Sequence, residues 1–216
     1  MPTFGLTQFL FLLEAAVWTV ILSALGFAGG GVIGFVVALA RISPARLIRW
    51  TATLYVQLIQ GTPLLVLLFI VYFGLSISGF NLPALFSAGI SITLYTSAFL
   101  ADIWRGAIRS IAAAQWEAAE CLGLSRWQRM IRVILPQSLR IATPPTVGFL
   151  VQVVKNTSLA SAIGVVELSQ AGKLINNSTF QPFSIFIVVA AIYFMLCFPL
   201  TLASRKLERK LNVANR

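Results

Sequence analysis

Histidine is absent from this 216-residue chain and only six residues are Asp or Glu, so the usual catalytic and metal-binding inventory is nearly empty. Serine–histidine chemistry has no base to run on, and Glu14, Asp102, Glu117, Glu120, Glu167 and Glu208 are too scattered to gather a metal ion, so neither a catalytic nor a metal site is expected. The two cysteines, Cys121 and Cys197, form no metal or redox motif. Nor is there a G-x-x-x-x-G-K-[ST] phosphate loop, which leaves the chain without a nucleotide-hydrolysing site of its own. Charge is scarce as well. With 58% hydrophobic and 10% charged residues, a polar, water-facing surface is hard to build, and an integral membrane protein is expected. The net charge of +10 does not imply a nucleic-acid partner, because the basic residues sit in a few segments between long apolar runs. No Lys or Arg and no cleavage site precede the first apolar run, so that run is expected to be retained rather than removed as a signal peptide.

Apolar segments at 18–40, 51–75, 84–104, 146–168 and 183–204 each approach the roughly 20 residues that cross a bilayer as a helix. The expected fold class is therefore all-α: five transmembrane helices in a single domain, 1–216, with one sizeable extramembrane region at 107–140. Arg41, Arg46 and Arg49 follow the first segment, Arg105 through Arg140 the third, and Arg205, Lys206, Arg209 and Lys210 the fifth. Positive residues stay on the cytoplasmic side, which puts the N-terminus outside and the C-terminus inside. Residues 4–16, with Phe4, Phe9, Phe11 and Glu14, exceed what one span needs and suit an interfacial helix on the outer face.

Three features break the apolar monotony. Gly26, Gly30, Gly34 and Ala38 recur every fourth residue, giving a smooth stripe on which another helix can sit closely, within the chain or in a second subunit. Gln57, Gln60, Gly61, Thr62 and Pro63 lie in the second segment, where Pro63 has no N–H for the carbonyl of Ile59, so a kink or break is expected near the bilayer midplane. Lys155, Asn156, Thr157 and Ser158 interrupt the fourth segment near its centre. Four polar residues at that depth are costly unless the helix is broken, with Asn156 left-handed and Thr157 or Ser158 capping a second half-helix. Such an end would aim its positive dipole into a midplane cavity shared with the other break, a substrate pathway lined by Gln57, Gln60, Gly61, Thr62, Lys155, Asn156, Thr157 and Ser158. Snorkelling toward water is the plainer reading for Lys155. Asp102 is expected to pair locally with Arg105 and Arg109.

The most specific stretch is cytoplasmic. Gly123 suits the left-handed end of one helix, and Ser125 with Gln128 makes a capping box for the next. Trp127, Met130, Ile131 and Ile134 then share one helix face and Arg126, Arg129 and Arg132 another, a pattern that by itself would also suit a helix lying on anionic headgroups. Glu117-Ala118-Ala119, Gly123 and Val133-Ile134-Leu135-Pro136 together resemble the "EAA" loop of ATP-binding-cassette import permeases. Gln60-Gly61-Thr62-Pro63-Leu64-Leu65, Arg105-Gly106-Ala107-Ile108 and Lys155-Asn156-Thr157-Ser158-Leu159 extend the resemblance, over about residues 50 to 210, to the polar amino-acid branch that includes histidine, glutamine and glutamate permeases.

The resemblance implies a type I importer permease in the bacterial inner membrane, importing polar amino acids or their derivatives by alternating access. It implies a like or related permease as dimer partner, two ATPase subunits that carry the ATP–Mg, and an extracytoplasmic amino-acid-binding protein. This chain would then bind no cofactor and be no enzyme, with Glu117, Ala118, Ala119, Gly123 and Arg126 coupling it to the ATPases. An ATP-independent secondary transporter is the alternative, and a membrane-embedded enzyme a more distant one. Asn156, uncharged where some related permeases carry an acid, favours neutral or acidic substrates, including an amide or an opine-like derivative, without excluding basic ones.

Overall fold

The computed structural model describes residues 4–214, and the regular elements among them are all helical. The first helix, α1 (Leu6–Arg41), opens where the Gln8 side chain accepts a hydrogen bond from the Gly5 N–H at 3.1 Å. Its 36 residues span ~54 Å, well beyond a hydrocarbon core of about 30 Å. The expected separate interfacial helix at 4–16 is therefore corrected: from Leu6 on, those residues are the first turns of α1. Their apolar face has a protein partner, since Leu12, Ala15 and Ala16 bury against Leu168, Ala171, Ile185 and Val189.

After a short turn come α2 (Arg46–Gln60) and α3 (Leu64–Ile77), whose axes differ by 101°. The expected span 51–75 is thus two helices meeting at a sharp corner rather than one kinked rod. Pro63 explains it. With no proline N–H to offer, the Ile59 carbonyl accepts from Thr62 N–H at 3.3 Å, Thr62 Oγ1 donates to the Leu58 carbonyl at 2.8 Å, and the chain leaves in a new direction.

Helix α4 (Ala84–Arg109) lies along α1 and holds the fold together. Gly26, Gly30, Gly34 and Ala38 are all buried in this contact, which settles the small-residue stripe as packing within the chain. A Cβ built on Gly34 would lie 2.8 Å from the Ser97 carbonyl oxygen, so the two backbones touch. At the C-terminal end of α1, Arg41 Nη1 donates to Asp102 Oδ1 at 2.7 Å, and Arg105 Nη2 to the same oxygen at 3.2 Å. Arg109, expected in this group, is not a partner; α1 supplies the stronger one.

A short helix α5 (Ala113–Cys121) and a single turn α6 (Arg126–Arg129) lead through a wide π turn (Met130–Ile134) into α7 (Leu135–Asn156). The wide turn precedes Pro136, which would leave the Arg132 carbonyl unbonded in α register. The chain tightens to a 3₁₀ helix (Thr157–Ile163), bends at Gly164, and continues as α8 (Leu168–Thr179), tilted by 48°, and α9 (Pro182–Ala214). Trp104 Nε1 ties α4 to Thr146 Oγ1 on α7 at 2.9 Å, and Ser204 Oγ on α9 donates to the Pro144 carbonyl at 2.9 Å. Three helices are long and apolar enough to cross a membrane alone, and five spans result if each bent pair counts as one.

The α1–α4 contact makes a paired prediction. Gly34→Ala should destabilise the detergent-solubilised protein by about 1–3 kcal/mol, because backbone must move to admit the methyl. Gly31→Ala, whose added atom meets only a Trp104 ring atom at 3.9 Å, should stay within about 0.5 kcal/mol of the parent or gain slightly from helix propensity. Thermal unfolding of the two variants side by side checks the contrast.

Candidate functional site

Two loci carry polar chemistry. The first is the hairpin formed by α5 and α6. Gly123 has φ 71° and ends α5 with the paired bonds of a Schellman motif, its N–H to the Glu120 carbonyl at 2.9 Å and the Leu124 N–H to the Ala119 carbonyl at 3.2 Å. Ser125 Oγ accepts from Gln128 N–H at 3.3 Å while Gln128 Oε1 accepts from Ser125 N–H at 2.9 Å, so the capping box is formed as its spacing implies. Arg129, only 14% exposed, closes the hairpin with a 2.9 Å ion pair to Glu120. That pair has no short-range pattern in the sequence; only the turn geometry brings the two residues together.

One side of the hairpin is anchored where Met130 and Ile134 pack with Trp116 against Ile108 and Ile111. The other side is open: Glu117, Ala118, Arg126, Leu122 (78% exposed) and Trp127 (68%) face outward, with Ala119 buried beneath them. The sequence places Trp127 and Ile131 with Met130 and Ile134 on one face, and the structure corrects this. The π turn holds more residues per turn than an α-helix, so the phase slips and only the latter pair turns inward.

The second locus lies where the two helix breaks meet. Ile59 and Leu64 beside the α2–α3 corner, and Val153, Leu159 and Ala160 around the end of α7, belong to one apolar cluster with Leu68 and Ile92. Gln60 Nε2 reaches the Ala98 carbonyl at 3.4 Å, Gly61 is exposed, and Thr62 is half-buried. Across the cluster Asn156 Oδ1 accepts from Gln152 Nε2 at 2.9 Å, whereas Asn156 Nδ2 is buried without a partner among the described residues. Lys155 is exposed. The structure brings the breaks to one cluster and records no hydrogen bond between their side chains.

The break in the fourth segment differs from expectation in kind. Asn156 is right-handed (φ −66°), and the hydroxyls of Thr157 and Ser158 donate backward to the carbonyls of Val154 and Lys155 at 2.8 and 2.7 Å, so neither caps a new helix. The left-handed residue is Gly164, φ 86°, and the half-helix that follows is capped by Glu167. Its carboxylate accepts from the N–H groups of Ser169 and Gln170, both at 2.9 Å, and from Tyr193 Oη at 2.8 Å. The Leu168 N–H donates to Thr19 Oγ1 at 3.2 Å. The helix end expected to hold an outside anion is thus filled by the chain's own carboxylate. Gly164, with an acid three residues on, was the available signal for this turn.

No three His, Cys, Asp or Glu side chains gather among the described residues.

Residues 30–213 match the family model described as binding-protein-dependent transport system inner membrane component. The chain is 40% identical over 206 residues to the probable amino-acid ABC transporter permease protein YckA of Bacillus subtilis (strain 168), with 95% of this chain and 91% of that one covered. It is 35% identical over 204 residues to the glutamine transport system permease protein GlnP of Escherichia coli (strain K12), with 94% and 93% covered. Among solved structures, a crystal structure of an amino acid ABC transporter with histidines superposes with a TM-score of 0.89 at 29% identity, with 97% of this chain and 100% of that one covered. With its matched segment running from within α1 to the end of α9, and with relatives that pair with it over nearly their whole lengths, the chain belongs to the family of binding-protein-dependent transport system inner membrane components.

Proposed function

We propose that the chain is the permease subunit of an ATP-driven, binding-protein-dependent importer of polar amino acids or their derivatives. The observation that carries the reading is the hairpin: internally locked, anchored on one side to the end of α4, and open on the other through Glu117, Leu122 and Trp127. A rigid element with a free mixed apolar and charged face is suited to docking a driving subunit. Two ATPase subunits, carrying the ATP–Mg, would press on this face, and α7 would carry the movement to the break around Asn156. A like or related permease would complete the pathway, and an extracytoplasmic binding protein would deliver substrate. The chain itself would bind no cofactor and catalyse no reaction. It sits in the bacterial inner membrane, with its N-terminus outside and its C-terminus cytoplasmic. Reconstitution with the ATPase and binding protein tests the reading: uptake of labelled glutamine, glutamate or arginine should require ATP hydrolysis. Uptake that persists without the ATPase but collapses with an ion gradient would instead identify a secondary transporter.

Three predictions follow from this arrangement. Gly123→Val forces a β-branched residue into a left-handed conformation, which costs about 1–3 kcal/mol at the hairpin turn, and should abolish substrate-stimulated ATP hydrolysis or release the ATPase on purification. Cysteines placed at residues 79 and 126 should react with impermeant reagent from outside and from the cytoplasm respectively, and the opposite pattern would invert the topology. Asn156→Asp should move uptake competition toward cationic amino acids by about 5- to 150-fold, the range that about 1–3 kcal/mol provides, with substrate capture by the binding protein unaltered.

A further inference from the structure

Helix α2 carries three stripes. Ala52, Val56 and Ile59 turn inward, Val56 and Ile59 packing with Ala98 and Ala101 of α4, while Leu47, Trp50, Leu54 and Leu58 form an exposed apolar stripe. Between them Arg46, Arg49, Thr53 and Gln57 recur at i, i+3, i+7 and i+11, a single polar lane that continues to Gln60 at the α2–α3 corner. At its cytoplasmic end this lane opens into a cavity of about 480 Å³ lined by Arg41, Arg46, Arg49, Arg105 and Arg109, with Gln57 at its inner limit.

The charges in this cavity are not balanced. Among the described residues no carboxylate lines it; Asp102, outside the lining, pairs with two of its arginines, Arg41 and Arg105. Arg46, Arg49 and Arg109 have no acidic partner there, and Arg49 is held in place by the Ser43 carbonyl at 2.9 Å. Its inner wall is withdrawn from solvent, Arg41 being 7% exposed and Arg105 24%, with the Nε atoms of both buried without a hydrogen-bond partner among the described residues, while Arg49 is half-buried and Arg46 and Arg109 are exposed at its mouth. A neighbouring cavity of about 620 Å³ shares Arg41, Arg49 and Arg109 and adds Arg126, Arg129 and Glu120 from the hairpin. Concave walls lined by one sign of charge focus the field and concentrate counter-ions, and rings of arginine select anions in pores.

We infer that the arginine-lined cavity is the cytoplasmic exit of the substrate pathway and a binding site for the carboxylate of the departing amino acid. The inference rests on the import reading and deepens it. Guanidinium groups match a carboxylate in a bidentate manner, and every α-amino acid carries that group whatever its side chain. The site therefore draws zwitterionic and acidic substrates down the Gln60–Gln57–Thr53 lane and leaves cationic ones disfavoured. Because the second cavity includes hairpin arginines, movement of the hairpin changes the field at this exit.

The test uses the assembled transporter in vesicles, with Cys121→Ser as background and Thr53→Cys as reporter. Labelling rates are compared from the ATPase side for an anionic and a cationic methanethiosulfonate reagent. The anionic reagent should be favoured, and Arg46→Gln with Arg109→Gln should reduce that preference by roughly tenfold or more. L-Glutamate at constant ionic strength should slow the anionic reagent, whereas agmatine, a cation with no carboxylate, should not. ATP-driven turnover with the transported amino acid should slow labelling further. An unchanged preference in the double variant, equal effects of glutamate and agmatine, or turnover without protection would each overturn the inference. Protection that follows the phosphatidylglycerol content of the vesicles would assign the cavity to a lipid phosphate instead. Loss of ATP-driven uptake alone, with the glutamate competition retained, would remove the import reading and leave the carboxylate site standing.

Discussion

Backbone contact between α1 and α4 is the constraint on which the rest of the molecule depends. In hydrocarbon there is little hydrophobic gain in pressing one apolar helix on another, so close packing of small residues must supply the attraction. Gly26, Gly30, Gly34 and Ala38 let α1 settle onto Ile92, Thr96, Ser97 and Leu100, and the Arg41–Asp102 pair fixes the register at the C-terminal end of α1. Both functional loci are then hung from α4. Gln60 reaches its Ala98 carbonyl, the hairpin is anchored by Ile108, and Trp104 fixes α7 through Thr146. A shift of α4 would displace all three together.

The breaks in the spans obey a second rule, that backbone polar groups at membrane depth need partners from within the protein. At the α2–α3 corner the partners are local, Thr62 serving both Ile59 and Leu58. At the α7–α8 turn they come from far away in sequence. Glu167 caps α8, Tyr193 of α9 donates to that carboxylate, and Thr19 of α1 accepts from Leu168. A fully buried carboxylate is tolerable there because three donors surround it, and these bonds together with the Leu168–Thr19 bond join α1, α8 and α9. This clamp and the α1–α4 contact brace the chain at different depths, leaving the corner at Gly61 and the 3₁₀ stretch after Asn156 between them.

What was legible in the sequence divides along the same line. Features set by neighbours in the chain could be read: the Gly123 turn, the Ser125–Gln128 box, the break forced by Pro63, and the small-residue stripe as a packing surface. Features set by distant partners could not. Nothing near Asp102 announces Arg41, and nothing near Glu167 announces Tyr193 or Thr19. The 4–16 segment looked interfacial because its apolar face had no visible partner, and α8 and α9 provide one. Around Asn156 the error was one of hydrogen-bond economy. Thr157 and Ser158 can cap a following helix or bond back to the preceding turn, and the tight 3₁₀ continuation selects the second.

That choice has a mechanical consequence. Because Asn156 does not end the helix, the chain runs as one helical body from Arg126 to Ile163, from the hairpin to the cluster where the two breaks meet. On the import reading proposed above, this body is the part that would carry a displacement of the hairpin to Asn156, unless it bends on the way. Its weak points are known: the π turn before Pro136, and Pro144–Pro145, which remove the bonds to the carbonyls of Arg140 and Ile141. Ser204 and Trp104 brace α7 close to the second of these, so bending is directed toward the first, next to the hairpin. Rotation about the π turn would change the angle between hairpin and α7 while α7 stays seated on α4. The Asn156 Nδ2, buried and without a partner among the described residues, lies beyond the braced section, where the chain passes into the 3₁₀ segment.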